Sequence, residues 1–117
     1  MTDEGSPLDC LRRICLGFPE ATEKEAWGDP TFRIRNRIFA MMKLGDGRVS
    51  VWLKAAEGMQ QLLVEADERQ FFRPPYVGQK GWIGIRLDDD PDWDHIAYHI
   101  RESYLMAAPK SLRDKVA

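Results

Sequence analysis

The sequence predicts an α+β domain, an antiparallel sheet with helices packed on one face. An apolar stripe at helical spacing opens the chain, a block of alternating strands joined by tight turns follows, and a long helical stripe comes near the end. At 117 residues, with 44% hydrophobic and 31% charged side chains, the chain has the size and composition of one globular domain. A chain of this mass buries about two-thirds of its unfolded surface without disulfides or metal. We expect a single domain over residues 1–117, with flexibility confined to residues 1–6.

Ser6-Pro7-Leu8-Asp9 has the form of a helix start: a serine N-cap, proline at the first helical position and an acid beside the positive end of the dipole. Leu8, Leu11, Ile14 and Cys15 share one face until Gly17 ends the run. Phe18-Pro19-Glu20 is extended, and Thr22 to Trp27 forms a first strand before the turn at Gly28-Asp29-Pro30. Thr31 to Ile34 and Arg37 to Lys43 are the next strands, with Arg35-Asn36 as a two-residue turn. That turn sets Ile34 opposite Arg37, Arg33 opposite Ile38 and Phe32 opposite Phe39, which puts Phe32, Ile34, Phe39 and Met41 on the core face. After the turn Leu44-Gly45-Asp46-Gly47, Val49, Val51 and Leu53 alternate with Ser50, Trp52 and Lys54 as a half-buried strand.

Glu57 to Ala66 is a second helix carried by Met59, Leu62, Leu63 and Ala66. The two prolines in Gln70 to Gly78 enforce an aromatic-bearing loop, followed by a strand from Gly81 to Leu87. The acids from Asp88 to Asp92 open a long helix striped by Trp93, Ile96, Ala97, Ile100, Tyr104 and Ala107. Ser111 to Val116 is a final helical turn.

The formal net charge of −2 excludes a polyanion binder that uses its whole surface. Any nucleic-acid contact must be local, and residues 30–54 supply the place. They hold Arg33, Arg35, Arg37, Lys43, Arg48 and Lys54 against Asp46 alone. A hairpin so charged either contacts phosphates, with Trp52 offering a ring if it lies on the open face, or is a solvated strand face that deters edge pairing. Arg69, Arg73 and Lys80 around Tyr76 and Trp82 form a second basic and aromatic group, either a ligand rim or a loop packed by its own rings.

Other constellations have bland readings. His95 and His99 stand at i and i+4 without a third ligand and read as exposed helix-face residues. The acids 88–94 lack calcium-loop spacing and serve as helix caps. Ser103 has no nucleophile motif and reads as structural, and Cys10 and Cys15 read as reduced core thiols. No metal, cofactor or catalytic constellation is indicated, so a non-enzymatic domain is expected. With no membrane-span-length apolar run and no signal-peptide pattern, the sequence reads as cytoplasmic.

Several of these segments together resemble the MmcQ/YjbR family of small bacterial proteins. They are Phe18-Pro19-Glu20-Ala21-Thr22-Glu23, Ala26-Trp27-Gly28 with Pro30 and Phe32, Arg37-Ile38-Phe39-Ala40, Val51 to Lys54, Phe72-Arg73-Pro74 with Tyr76, Lys80-Gly81-Trp82, and Glu102-Ser103-Tyr104 followed by Lys110-Ser111-Leu112. The resemblance runs from about Leu11 to Val116; Ser111 departs from it, standing where the family pattern has proline. It implies a CyaY-like α+β fold and DNA binding through a double-wing surface. The acidic iron-binding ridges of frataxin-like proteins with that fold have no residue-level match here.

Two function classes follow. In the leading one the chain binds DNA, with Arg33, Arg35, Arg37, Lys43 and Arg48 on phosphates. In the alternative it is a protein- or ligand-interaction module whose site is built from Trp27, Lys54, Arg73, Tyr76, Lys80 and Trp82. In that version Trp27, Trp82 and Tyr104 meet around the proline loop, and Lys54, Arg73 and Lys80 surround an aromatic concavity suited to an anion or a nucleotide base. A monomer is expected in both.

Overall fold

A computed structural model describes residues 6–44 and 47–116. The first helix, α1 (Pro7–Cys15), begins with a reciprocal capping box. The Asp9 N–H donates to the Ser6 hydroxyl at 3.2 Å, and the Ser6 N–H donates to the Asp9 carboxylate at 3.3 Å. Ser6 therefore belongs to the helix start. The rest of the expected flexible segment, residues 1–5, lies outside the described residues, as do Gly45 and Asp46 of the second turn.

Strands β1 (Ala21–Ala26), β2 (Asp29–Ile34), β3 (Arg37–Lys43), β4 (Ser50–Leu53), β5 (Phe71–Phe72) and β6 (Ile83–Arg86) form one antiparallel sheet in the order β1-β2-β3-β4-β6-β5. Helices α1, α2 (Met59–Ala66), α3 (Trp93–Ala107) and α4 (Lys110–Val116) lie against the core side of the sheet, as the sequence predicts. Leu11, Ile100 and Leu112 from the helices and Phe32, Ile34 and Leu53 from the strands meet in a single core.

Both of the first two hairpins close with two residues at positive φ, Trp27 (55°) with Gly28 (80°) and Arg35 (48°) with Asn36 (66°). These turns match the right-handed twist of the flanking strands. The Arg35-Asn36 turn pairs Ile34 with Arg37 and Arg33 with Ile38, but Phe32 then faces Ala40 and not Phe39. Phe39 is the extra residue of a β-bulge, and a bulge changes which side chains face which way. Phe39, Ala40 and Met42 therefore enter the core, whereas Met41, expected beside them, lies with Ile38 and Lys43 on the open face.

The bulge also sets a position for Ser103. Continuing the β3–β4 register beyond the pair Ala40–Leu53 would join the Lys54 N–H to the Phe39 carbonyl. Instead the buried Ser103 hydroxyl stands between them, accepting from Lys54 N at 2.9 Å and donating to Phe39 O at 2.5 Å. The serine is structural, as expected: α3 completes the ladder where the strands part.

Tyr104 departs from the expected meeting around the proline loop. Its ring stacks on Phe18 at 4.7 Å and meets the edge of Phe39 at 5.3 Å, and its hydroxyl donates to Pro19 O at 2.8 Å. It belongs to the core because it falls on the same α3 stripe as Ile96 and Ile100. Leu62 points into solvent, since the short α2 at the sheet margin presents only Leu63 and Val64 to the core. His99 is buried, against the expectation of an exposed residue, because Phe71 on β5 covers it edge-on at 5.9 Å.

Candidate functional site

The open face of the sheet carries a concavity of about 860 Å³. Its floor follows from the strand period. Trp52 on β4 and Lys54 just past its end alternate with the core residues Val51 and Leu53, while Ile38, Met41 and Lys43 reach the same side of β3 because of the bulge. Lys43 lies 5.7 Å above the Trp27 ring and 5.3 Å above the Trp52 ring, and its ammonium meets Asp29 at 3.3 Å. Lys54 lies 5.1 Å above the Trp82 ring. Cations and indoles thus pair on the open face, each ammonium resting over the face of a ring.

The wall opposite the β1–β2 turn is the proline loop. Gln60 on α2 holds it, donating to Gly78 O at 2.9 Å and to Trp82 O at 2.6 Å. At its tip Tyr76 has φ 63° and ψ −71°, with the Val77 N–H bonded to Pro75 O at 2.7 Å. This is a γ-turn of the rare, strained hand. Such a conformation costs about 1–3 kcal/mol and is typical of sites where the strain serves a function. Trp27 is the other bulky residue at positive φ that lines the concavity. Both rings stand in solvent, Trp27 76% and Tyr76 87% exposed.

The cations of the lining are Arg33, Arg37, Lys43, Lys54 and Lys80, and among the described lining residues none is acidic. Arg33 is steadied by neutral oxygens, donating to Thr31 Oγ1 at 3.1 Å and to Asn36 Oδ1 at 3.0 Å. Partial burial, reinforced by Lys80 and Arg37, holds the Lys54 ammonium below the ordinary lysine range. Such a lining has the chemistry to hold an anion between aromatic walls.

The structure therefore brings residues of both candidate sites onto one lining and leaves others of each outside it. Arg33, Arg37 and Lys43 of the phosphate set join Trp27, Lys54, Tyr76, Lys80 and Trp82 of the ligand set. Arg35 and Arg48 lie outside the lining. Arg35 forms a two-pronged pair with Glu20 at 3.1 and 3.3 Å, and Arg48 forms another with Asp88 at 2.7 and 3.0 Å. Those hydrogen bonds hold both carboxyls below the usual carboxylate range. Arg73 also falls outside, lying against Gly78, where an added Cβ would come within 2.7 Å of its Cγ. The site lists drawn from sequence lack Asn36, Ile38, Met41, Trp52 and Met106. Trp52 was signalled by its place opposite Val51 in the period-two pattern, whereas Met41 was hidden by the bulge.

Residues 16–106 match the YjbR family model. The chain belongs to the YjbR family. Every lining residue named above falls within the matched span of this YjbR domain. Its fold is similar to the crystal structure of the Deinococcus radiodurans protein DR2400, which carries a DUF419 domain. The TM-score is 0.77 at 19% identity, with 93% of this chain and 86% of that one covered. No curated protein matches this chain.

Away from the concavity, the His95 and His99 Nε2 atoms lie 3.1 Å apart. Among the described residues no cluster of three or more His, Cys, Asp or Glu side chains could hold a metal ion. Likewise no described helix is long and apolar enough to cross a membrane. Cys15 is buried and Cys10 half-buried, both free thiols.

Proposed function

We propose that this YjbR domain is a non-enzymatic binding domain whose working surface is the open-face concavity, and that its ligand combines an anionic group with a flat ring. A nucleotide is the simplest molecule with both. The observation that carries this reading is the convergence of five cations and four aromatic rings on one lining with no acidic member among the described residues. Binding of this kind uses charge-assisted hydrogen bonds for the anion and stacking or cation–π contact for the ring. The alternative of duplex phosphates along the basic segment 30–54 has weaker support, because Glu20, Asp29 and Asp88 pair with three of the five side chains it needs, and of those three the concavity shares only Lys43.

Trp27, Trp52 and Trp82 make the concavity self-reporting by fluorescence. Titration with a nucleoside monophosphate should quench the emission saturably, and the double variant Arg37→Ala/Lys80→Ala should lose most of the affinity. Quenching that is unchanged in the double variant would overturn the reading.

A further inference from the structure

From the shape of the concavity and the placement of its rings, and resting on the reading above, we infer that its occupant is single-stranded nucleic acid: a short run of unstacked nucleotides laid across the sheet.

The placement of the rings carries the inference. Trp27 projects from the β1–β2 turn at one side of the sheet and Tyr76 from the loop feeding β6 at the other, with Trp52 and Trp82 between them. One base needs one or two faces, so the three accessible rings, Trp27, Trp52 and Tyr76, exceed what a mononucleotide uses, while the buried Trp82 backs Lys54. The two outermost rings are also the most exposed; the positive φ of Trp27 belongs to its hairpin turn, whereas the strained turn at Tyr76 is a backbone cost that core packing does not explain. A duplex cannot use these faces, because its bases are stacked on one another and only their edges reach the grooves. An unpaired strand offers a π-face at every nucleotide and a phosphate between each pair. The open face supplies both parts of that repeat side by side, Lys43 between Trp27 and Trp52 and Lys54 against Trp82. Arg33, Arg37 and Lys80 add cations along the same lining.

The test compares four fluorescein-labelled probes by anisotropy on the full chain: an oligothymidylate of about ten nucleotides, the matching oligouridylate, a duplex of equal length and a labelled mononucleotide. At least one single strand should bind ten-fold or more tighter than both the duplex and the mononucleotide, and the stronger of the two identifies DNA or RNA as the source. If three to four phosphates are neutralised, affinity should fall about 20- to 50-fold between 50 and 200 mM salt. Trp27→Ala and Tyr76→Ala should each weaken the single strand about ten-fold, while Arg35→Ala should leave it unchanged. Both rings are exposed, so neither variant threatens the fold, and circular dichroism verifies this. A single strand that binds no tighter than the mononucleotide overturns the inference and leaves the concavity reading standing. A duplex that binds tighter than either single strand overturns the inference as well. Failure of all four probes removes both.

Discussion

Replacing Ser103 by alanine is the sharpest test of how the sheet is held open beneath the site. The hydroxyl is fully buried and bridges Lys54 N–H and Phe39 C=O, at 2.9 and 2.5 Å. Its removal strands the half-buried Lys54 N–H and the buried Phe39 carbonyl, each costing up to about 1–3 kcal/mol when unpaired. Partial closure of the gap by the strands offsets some of this, so we expect a loss of about 2–4 kcal/mol. That is a large share of the roughly 5–15 kcal/mol that holds a domain together. In urea, with a slope of about 2 kcal/mol per molar, the midpoint should fall by about 1–2 M. Amide exchange at Lys54 should accelerate in the native state, because that N–H would no longer have an acceptor. A destabilisation below about 0.5 kcal/mol with Lys54 exchange unchanged would refute the bridge. It would mean that the strands close onto a direct bond and the serine is dispensable.

Burial, with His95 as the second cause, depresses the His99 imidazole from 6.5 to about 4. The unfolded chain thus takes up this proton first as pH falls, so stability is intact above about pH 6.5 and declines toward pH 4. The decline should amount to as much as about 3 kcal/mol and be flattened in His99→Leu, as read by urea unfolding across pH. Gly84→Ala should destabilise by about 1–3 kcal/mol, because a methyl group would overlap the Phe72 ring lying across Gly84, and thermal melting reads the loss. Tyr76→Gly should leave the melting temperature level or higher, since glycine takes up φ 63° without strain, while weakening ligand binding in the same sample. Iodoacetamide should leave Cys15 unmodified in the native protein, as burial raises its thiol pKa, and peptide mapping of the folded and the urea-unfolded chain checks the protection.

Local chemistry was the legible part of this fold. Ser6-Pro7-Leu8-Asp9 and Arg35-Asn36 act within four residues of themselves, so their cap and turn could be read from spacing alone. The period of β4 likewise placed Trp52 and Lys54 opposite the core. What failed was whatever depended on distant partners. The bulge at Phe39 follows from how β3 meets β2, β4 and α3 together, and a two-residue period runs straight through it. Arg35 and Arg48 looked like members of one basic island because their carboxylate partners stand 15 and 40 positions away. His99 looked exposed because the covering ring, Phe71, arrives from a different strand. The two halves of the site were each visible as composition, but only the sheet order shows that the hairpin and the proline loop face one another.

The acid-free lining has a consequence for how this domain is maintained. Crowding Arg37, Lys54 and Lys80 around one hollow without a lining counter-charge makes the empty protein repel itself. Selection for stability alone would place a glutamate among them. Cation removal should therefore raise the melting temperature as it abolishes ligand uptake, and added salt should stabilise the empty wild type more than the variant. In a substitution scan the scaffold positions lose both properties together. The receptor positions trade one for the other, so that opposition marks the surface without knowledge of its natural ligand.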